Sequence, residues 1–148
     1  MNEILTRNRN LNRGYRKLEV WNKAVELAVY VRNILKGIKT VSLKVKSQIE
    51  DSIISVPSNI SEGYCRRYIK EYIQHINIAL ASLGENYTQL YILYASNEIG
   101  TDTFNEYDAK HYYVENKLLA LNRSLIKKLK DKNGWNEDYK VEDGLKDA

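Results

Sequence analysis

The chain has 148 residues, 43% hydrophobic and 28% charged, the balance of a folded domain with one core. A single proline and seven glycines exclude a turn-rich β architecture, and apolar runs such as Leu27 to Val31 are far too short to span a membrane. The formal charge is +4, but Glu137, Asp138, Glu142, Asp143 and Asp147 outweigh Lys140 and Lys146 in the tail, so the body is more basic than the total and suits anionic partners.

The opening MNEILTRNRNLNRG is polar, lacks the apolar stretch of a signal peptide, and is expected to form a flexible basic arm over residues 1–14. Cys65 is the only cysteine, which rules out an internal disulfide and fits a reducing cytoplasm. Glycines at 14, 37, 63, 100 and 134 divide the chain into four segments, each with apolar residues in alternating steps of three and four. The first carries Val20, Ala24, Leu27, Val31, Ile34 and Ile38, and predicts a helix over 18–38. A second ridge beside it, Trp21, Val25, Ala28 and Leu35, is either further core or a surface that another subunit covers.

The second segment carries Ile49, Ile53, Val56 and Ile60 and predicts a helix over 43–63, ended by Gly63. The third, with Ile69, Ile73, Ile76, Leu80, Leu83, Tyr87, Leu90 and Tyr94, predicts a helix over 68–98. The fourth, with Tyr107, His111, Val114, Leu118, Leu121 and Leu125, predicts one over 104–131, opened by a capping box at Thr103-Phe104-Asn105-Glu106. Alternating three–four steps suit helices packed side by side, and short connections make neighbours antiparallel. The expected fold is all-α: an up-down-up-down four-helix bundle over residues 15–132, followed by a flexible acidic tail over 133–148.

The only proline lies inside the second helix, in the stretch SVPSNISEG, Ser55 to Gly63. Pro57 deprives the Ile53 carbonyl of its amide partner and should bend the helix, with Ser55, Ser58, Asn59 and Ser61 managing the freed polar groups. This stretch resembles the proline signature of the bacterial four-helix-bundle proteins first noted in 23S rRNA intervening sequences. The run from Tyr15 to Ala24, Gln48, Arg66, Glu71-Tyr72, Ala81-Ser82-Leu83 and Glu85 extend the resemblance over about residues 15–130. That family looks related to the accessory variability proteins of diversity-generating retroelements. The resemblance implies a non-enzymatic bundle assembling into a homo-oligomeric ring, usually a pentamer, that binds nucleic acid and, in the retroelement relatives, a reverse transcriptase. Two positions depart from the family pattern: Glu50-Asp51 replaces a basic pair, and Tyr68 replaces a capping serine.

Catalytic chemistry finds no convergent set of residues. Cys65 stands beside Arg66 and Arg67, and there is no glycine-rich phosphate loop. Glu71 and His75, and His111 and Glu115, are each four apart on a helix face, a spacing that bundles use for metals. A tight turn near residue 100 would place His111 level with Leu90, fifteen residues or roughly 22 Å from His75. No catalytic residue, metal or cofactor is therefore expected, with His111 a core histidine and His75 a surface one. Three sequons, at Asn59, Asn86 and Asn122, fall inside predicted helices and are discounted.

The antiparallel topology would gather Arg13, Arg16, Lys17, Arg66, Arg67, Lys70, Lys127, Lys128, Lys130 and Lys132 at one pole, with Arg7 and Arg9 added by the arm, against Glu19, Glu62, Glu71 and Asp131. Tyr64, Tyr68 and Tyr72 interleave with these cations. Stacking aromatics beside phosphate-holding cations are what single-stranded nucleic acid binding requires. The expected function is non-enzymatic nucleic-acid binding through Arg13, Arg16, Lys17, Tyr64, Arg66, Arg67, Tyr68, Lys70, Lys127, Lys128 and Lys130, of RNA or DNA with weak sequence preference. The alternative is a protein-interaction scaffold that docks an acidic partner, which the Glu50-Asp51 departure favours.

Overall fold

A computed structural model describes residues 3–131. Among these residues every regular element is helical: two short 3-10 segments, Glu3–Thr6 and Leu11–Lys17, and four α-helices. These are α1 (Glu19–Gly37), α2 (Leu43–Cys65), α3 (Ile69–Ala95) and α4 (Thr101–Asp131). No helix among the described residues is long and apolar enough to cross a membrane. The acidic tail and Lys132 lie outside the described residues.

The helix ends follow from local chemistry. The Ser42 hydroxyl caps α2 by accepting from the Val45 amide at 3.3 Å. Helix α3 starts with no side-chain cap at Tyr68. It ends in a Schellman arrangement: Asn97 adopts φ 61°, the Glu98 amide donates to Leu93 O at 2.8 Å, and the Asn97 amide donates to Tyr94 O at 3.0 Å. Asn97 rather than Gly100 therefore turns the chain. Helix α4 begins at Thr101, so Thr103 sits within its first turn instead of capping it, and the Thr103 carbonyl accepts from the Tyr30 hydroxyl.

This earlier turn corrects the register between α3 and α4. His111 Nε2 meets the Leu83 carbonyl at 2.8 Å, so His111 lies level with Leu83, not Leu90. Tyr87 with Asp108 and Asn77 with Asn122 continue the pairing in opposite chain order. Between α2 and α3 the pairs Asn59–His75, Ser55–Ser82 and Ser52–Gln89 also run in opposite order, as do Glu19–Lys117 and Tyr30–Glu106 between α1 and α4. The α2–α3 interface is the most extensive and α1–α4 the least among neighbouring helices.

The core draws on all four helices, with Leu27, Val31, Ile49, Ile53, Ile60, Ile69, Ile76, Leu83, Leu90, Tyr107 and Leu118 almost wholly enclosed. Its centre on α3 is not the apolar stripe alone. Ile73, Leu80, Tyr87 and Tyr94 flank the core half-buried, while Tyr72, Ala79, Ser82, Asn86 and Leu93 are buried. On α1, Leu35 and Ala28 belong to the core and Trp21 packs edge-on against Tyr15 at 5.3 Å, so the second ridge is mainly interior.

Helix α2 runs unbroken through Pro57, which is buried. The polar residues of SVPSNISEG fasten α2 to itself and to α3. Asn59 Nδ2 donates to the Ser55 carbonyl at 2.8 Å, Ser61 Oγ donates to Ser58 O at 2.9 Å, and the Ser55 and Ser82 hydroxyls share a 2.8 Å bond. Deeper in, the Tyr107 hydroxyl donates to Asn86 Oδ1 at 2.6 Å, while Asn86 Nδ2 donates to Ser52 Oγ and Ile49 O at 3.0 and 3.3 Å. Such a buried network is stable only when its members are satisfied, and here it links α2, α3 and α4 in one chain of bonds. Gly63 serves close approach: a Cβ there would meet His75 Cβ and Tyr72 Cδ1, each at 2.8 Å, and the helix continues past it to Cys65.

Candidate nucleic-acid interface

The arm, expected to be loose, takes up two 3-10 segments from residue 3 onward. Arg16 ties it down: Nε and Nη2 donate to the Leu5 carbonyl at 3.1 and 2.6 Å, and Nη2 also donates to Arg7 O. Segment Leu11–Lys17 packs against the end of α2, where Gly14 leaves room for the Tyr64 phenol and Cys65 Sγ donates to Asn12 O at 3.3 Å. Tyr64 sits edge-on between Tyr15 and Tyr72, each ring centroid 6.2 Å away. The α2–α3 corner, residues 66–68, thus lies beside the start of α1. The Asn77–Asn122 pair then brings the last turns of α4, with Lys127, Lys128 and Lys130, alongside the first turns of α3, with Lys70.

Within this end of the molecule Arg13, Lys17, Arg66, Arg67, Tyr68, Lys70, Lys127, Lys128 and Lys130 are exposed. Two expected contact residues are placed differently. Arg16 is half-buried and its guanidinium holds the arm, and Tyr64 is half-buried among aromatic rings. Tyr72 is enclosed, and burial first, then the neighbouring Tyr64, pushes its phenol well above the usual tyrosine range. Of the three tyrosines proposed for stacking, only Tyr68, 40% exposed, offers a ring to solvent. The reason is the corner itself: the chain reverses between residues 65 and 69, so the three rings do not share one face.

Two of the opposing acids are engaged. Glu19 accepts from the Tyr113 hydroxyl and pairs with Lys117 at 3.3 Å, and these hydrogen bonds, Tyr113 foremost, hold its carboxyl below the usual range. Glu62 Oε2 lies 3.6 Å from His75 Nδ1. His75, expected on the surface, is held between elements: its side chain is 15% exposed, Nδ1 lies 2.9 Å from Asn59 Oδ1, and Arg66 Nε donates to Nε2 at 3.3 Å. His111 is buried, as expected of a core histidine. Among the described residues no three His, Cys, Asp or Glu side chains are placed to hold a metal ion.

The family model described as 23S rRNA-intervening sequence protein matches residues 16–120. The chain belongs to that family. No curated protein matches it. The matched span holds Arg16, Lys17, Tyr64, Arg66, Arg67, Tyr68 and Lys70, and stops before the lysines that end α4. Arg13, Lys127, Lys128 and Lys130 lie outside the matched span.

Proposed function

We propose that this chain is an antiparallel up-down-up-down four-helix bundle that binds nucleic acid, without catalysis, at the pole where the arm, the α2–α3 corner and the end of α4 meet. The observation that carries the reading is the arrival of exposed cations from three separate segments, Arg13 and Lys17, Arg66 to Lys70, and Lys127 to Lys130, at one end of the helices. The opposed contact pairs between helices support the up-down topology. The family's name, which refers to 23S rRNA, supports RNA as the ligand.

Exposed lysines and arginines neutralise phosphates and release counterions, so affinity is set by the backbone and is only weakly sequence-specific. Tyr68 supplies the stacking face, worth about 1–3 kcal/mol for each base that stacks. Arg16 and Tyr64 act indirectly, by fixing the arm against the corner. A homo-oligomeric ring, pentameric as the resemblance implies, multiplies this modest patch through avidity. The same resemblance supports a reverse transcriptase as protein partner, and the single cysteine, Cys65, suits a cytoplasmic location. Fluorescence anisotropy of single-stranded RNA, single-stranded DNA and duplex DNA with the Arg66→Glu/Arg67→Glu variant tests the site. Weakening on every sequence supports it. Undiminished binding removes the corner from the interface, and loss of an acidic protein partner alone replaces this reading by a docking scaffold.

A further inference from the structure

The hydrogen bonds around His75 define its proton. Asn59 commits its amide nitrogen to the Ser55 carbonyl and hydroxyl, at 2.8 and 3.0 Å, so its Oδ1 is left as an acceptor facing His75. His75 Nδ1, 2.9 Å away, must therefore carry the hydrogen in the neutral ring, and Nε2 keeps the lone pair that accepts from Arg66 Nε–H. A second proton can enter only at Nε2. It removes the acceptor and leaves two cations 3.3 Å apart.

We propose that His75 is a proton-operated latch on Arg66: the neutral imidazole holds the guanidinium against α3, and the protonated ring releases it to bind phosphate. Glu62 on α2 lies 3.6 Å from Nδ1 and supplies a counter-charge, and Glu71 sits one turn earlier on the same helix. Tyr72, also on α3, is buried and neutral. On α4, across α3, the charged side chains at this level are Arg123 and Lys127, both exposed. Histidine is the side chain whose ordinary charge change falls between pH 5 and 8, the interval in which the latch is tested. Arg66 is itself exposed, and once freed needs no rearrangement of the helices to reach a ligand.

The regulation rests on the interface proposed above, whereas the latch does not, and the test separates them. Long-range proton–nitrogen NMR of the free protein reads the ring directly. The expected result is a neutral Nδ1–H tautomer and an Arg66 Nε–H signal that moves in step with the His75 titration. An Nε2–H tautomer, or an Arg66 signal indifferent to that titration, overturns the latch. Anisotropy with single-stranded RNA at pH 7.5 and 5.5 then reads the consequence. The salt slope of the wild type should steepen by about 0.7, one additional phosphate contact on a single strand, while that of Arg66→Gln should steepen by less. Equal steepening in both overturns the regulatory role. Absence of RNA binding at both pH values overturns the interface and leaves the NMR result to judge the latch. Because Arg66 is exposed, its variant keeps the fold against which the wild type is compared.

Discussion

Replacing Gly63 with alanine puts a methyl group into the α2–α3 interface where two atoms already stand 2.8 Å from its position, and a third, the Tyr72 carbonyl oxygen, at 3.2 Å. Neither close neighbour is a flexible tip: one is the Cβ of His75, the other a ring carbon of buried Tyr72. The helices must move apart, and overpacking of this kind costs about 1–3 kcal/mol. Alanine recovers about 1 kcal/mol of helix propensity, leaving a net loss of up to about 2 kcal/mol. Gly84, within α3, is the control, since nothing lies within 4 Å of a Cβ there and Gly84→Ala should gain about 1 kcal/mol. Urea unfolding at one fixed protein concentration should give midpoints displaced in opposite directions. Stabilisation by both substitutions would refute the close-approach account of Gly63.

Tyr107→Phe leaves the buried Asn86 oxygen without its donor and should cost about 1–3 kcal/mol, seen as a lower denaturation midpoint at unchanged slope; an unchanged midpoint would mean the buried network does not bear on stability. Burial first, and then the Glu106 hydrogen bond, raises the Tyr30 phenol to about 12, so its contribution to stability is complete below pH 10 and lost as the pH rises from 10 to 12. Ultraviolet titration should show Tyr30→Phe removing one tyrosine from the late-ionising group. The Glu19 carboxyl is held low by Tyr113 and Lys117, so its contribution is present above the ordinary glutamate range and lost as the pH falls. Carbonyl NMR should find the Glu19 midpoint rising in Tyr113→Phe, and no change would place the hydrogen bond elsewhere.

The four helices were legible because their apolar residues keep helical spacing, and the ends of α1, α2 and α3 fall within a few residues of expectation. What hydrophobicity could not show was where polar and small residues form the centre. Ser52, Ser82, Ala79 and Asn86 occupy the α2–α3 seam, so a purely apolar reading chose Ile73, Leu80 and Tyr87 on its flank. Gly63 looked like a helix stop because glycine terminates helices more often than it admits a neighbour. Asn97 escaped notice as the true stop, and that error carried the α3–α4 register with it. At the pole, charge identified the residues but not their engagements. Nothing in the order of residues tells that Arg16 serves backbone carbonyls or that Tyr64 and Tyr72 face inward. The pairing of His75 with Arg66 crosses the corner and depends on that turn's geometry.

The salt dependence of RNA binding tests the central claim most directly. A single-stranded RNA titrated by anisotropy across a salt series should show log affinity falling linearly with log salt at a slope of several units, about 0.7 for each phosphate held. Lys127→Gln/Lys128→Gln, and at pH 5.5 Arg66→Gln/Arg67→Gln, should each reduce that slope by about one to one and a half, whatever the sequence of the strand. A wild-type slope near zero, or no binding at low salt, would contradict a phosphate-reading pole.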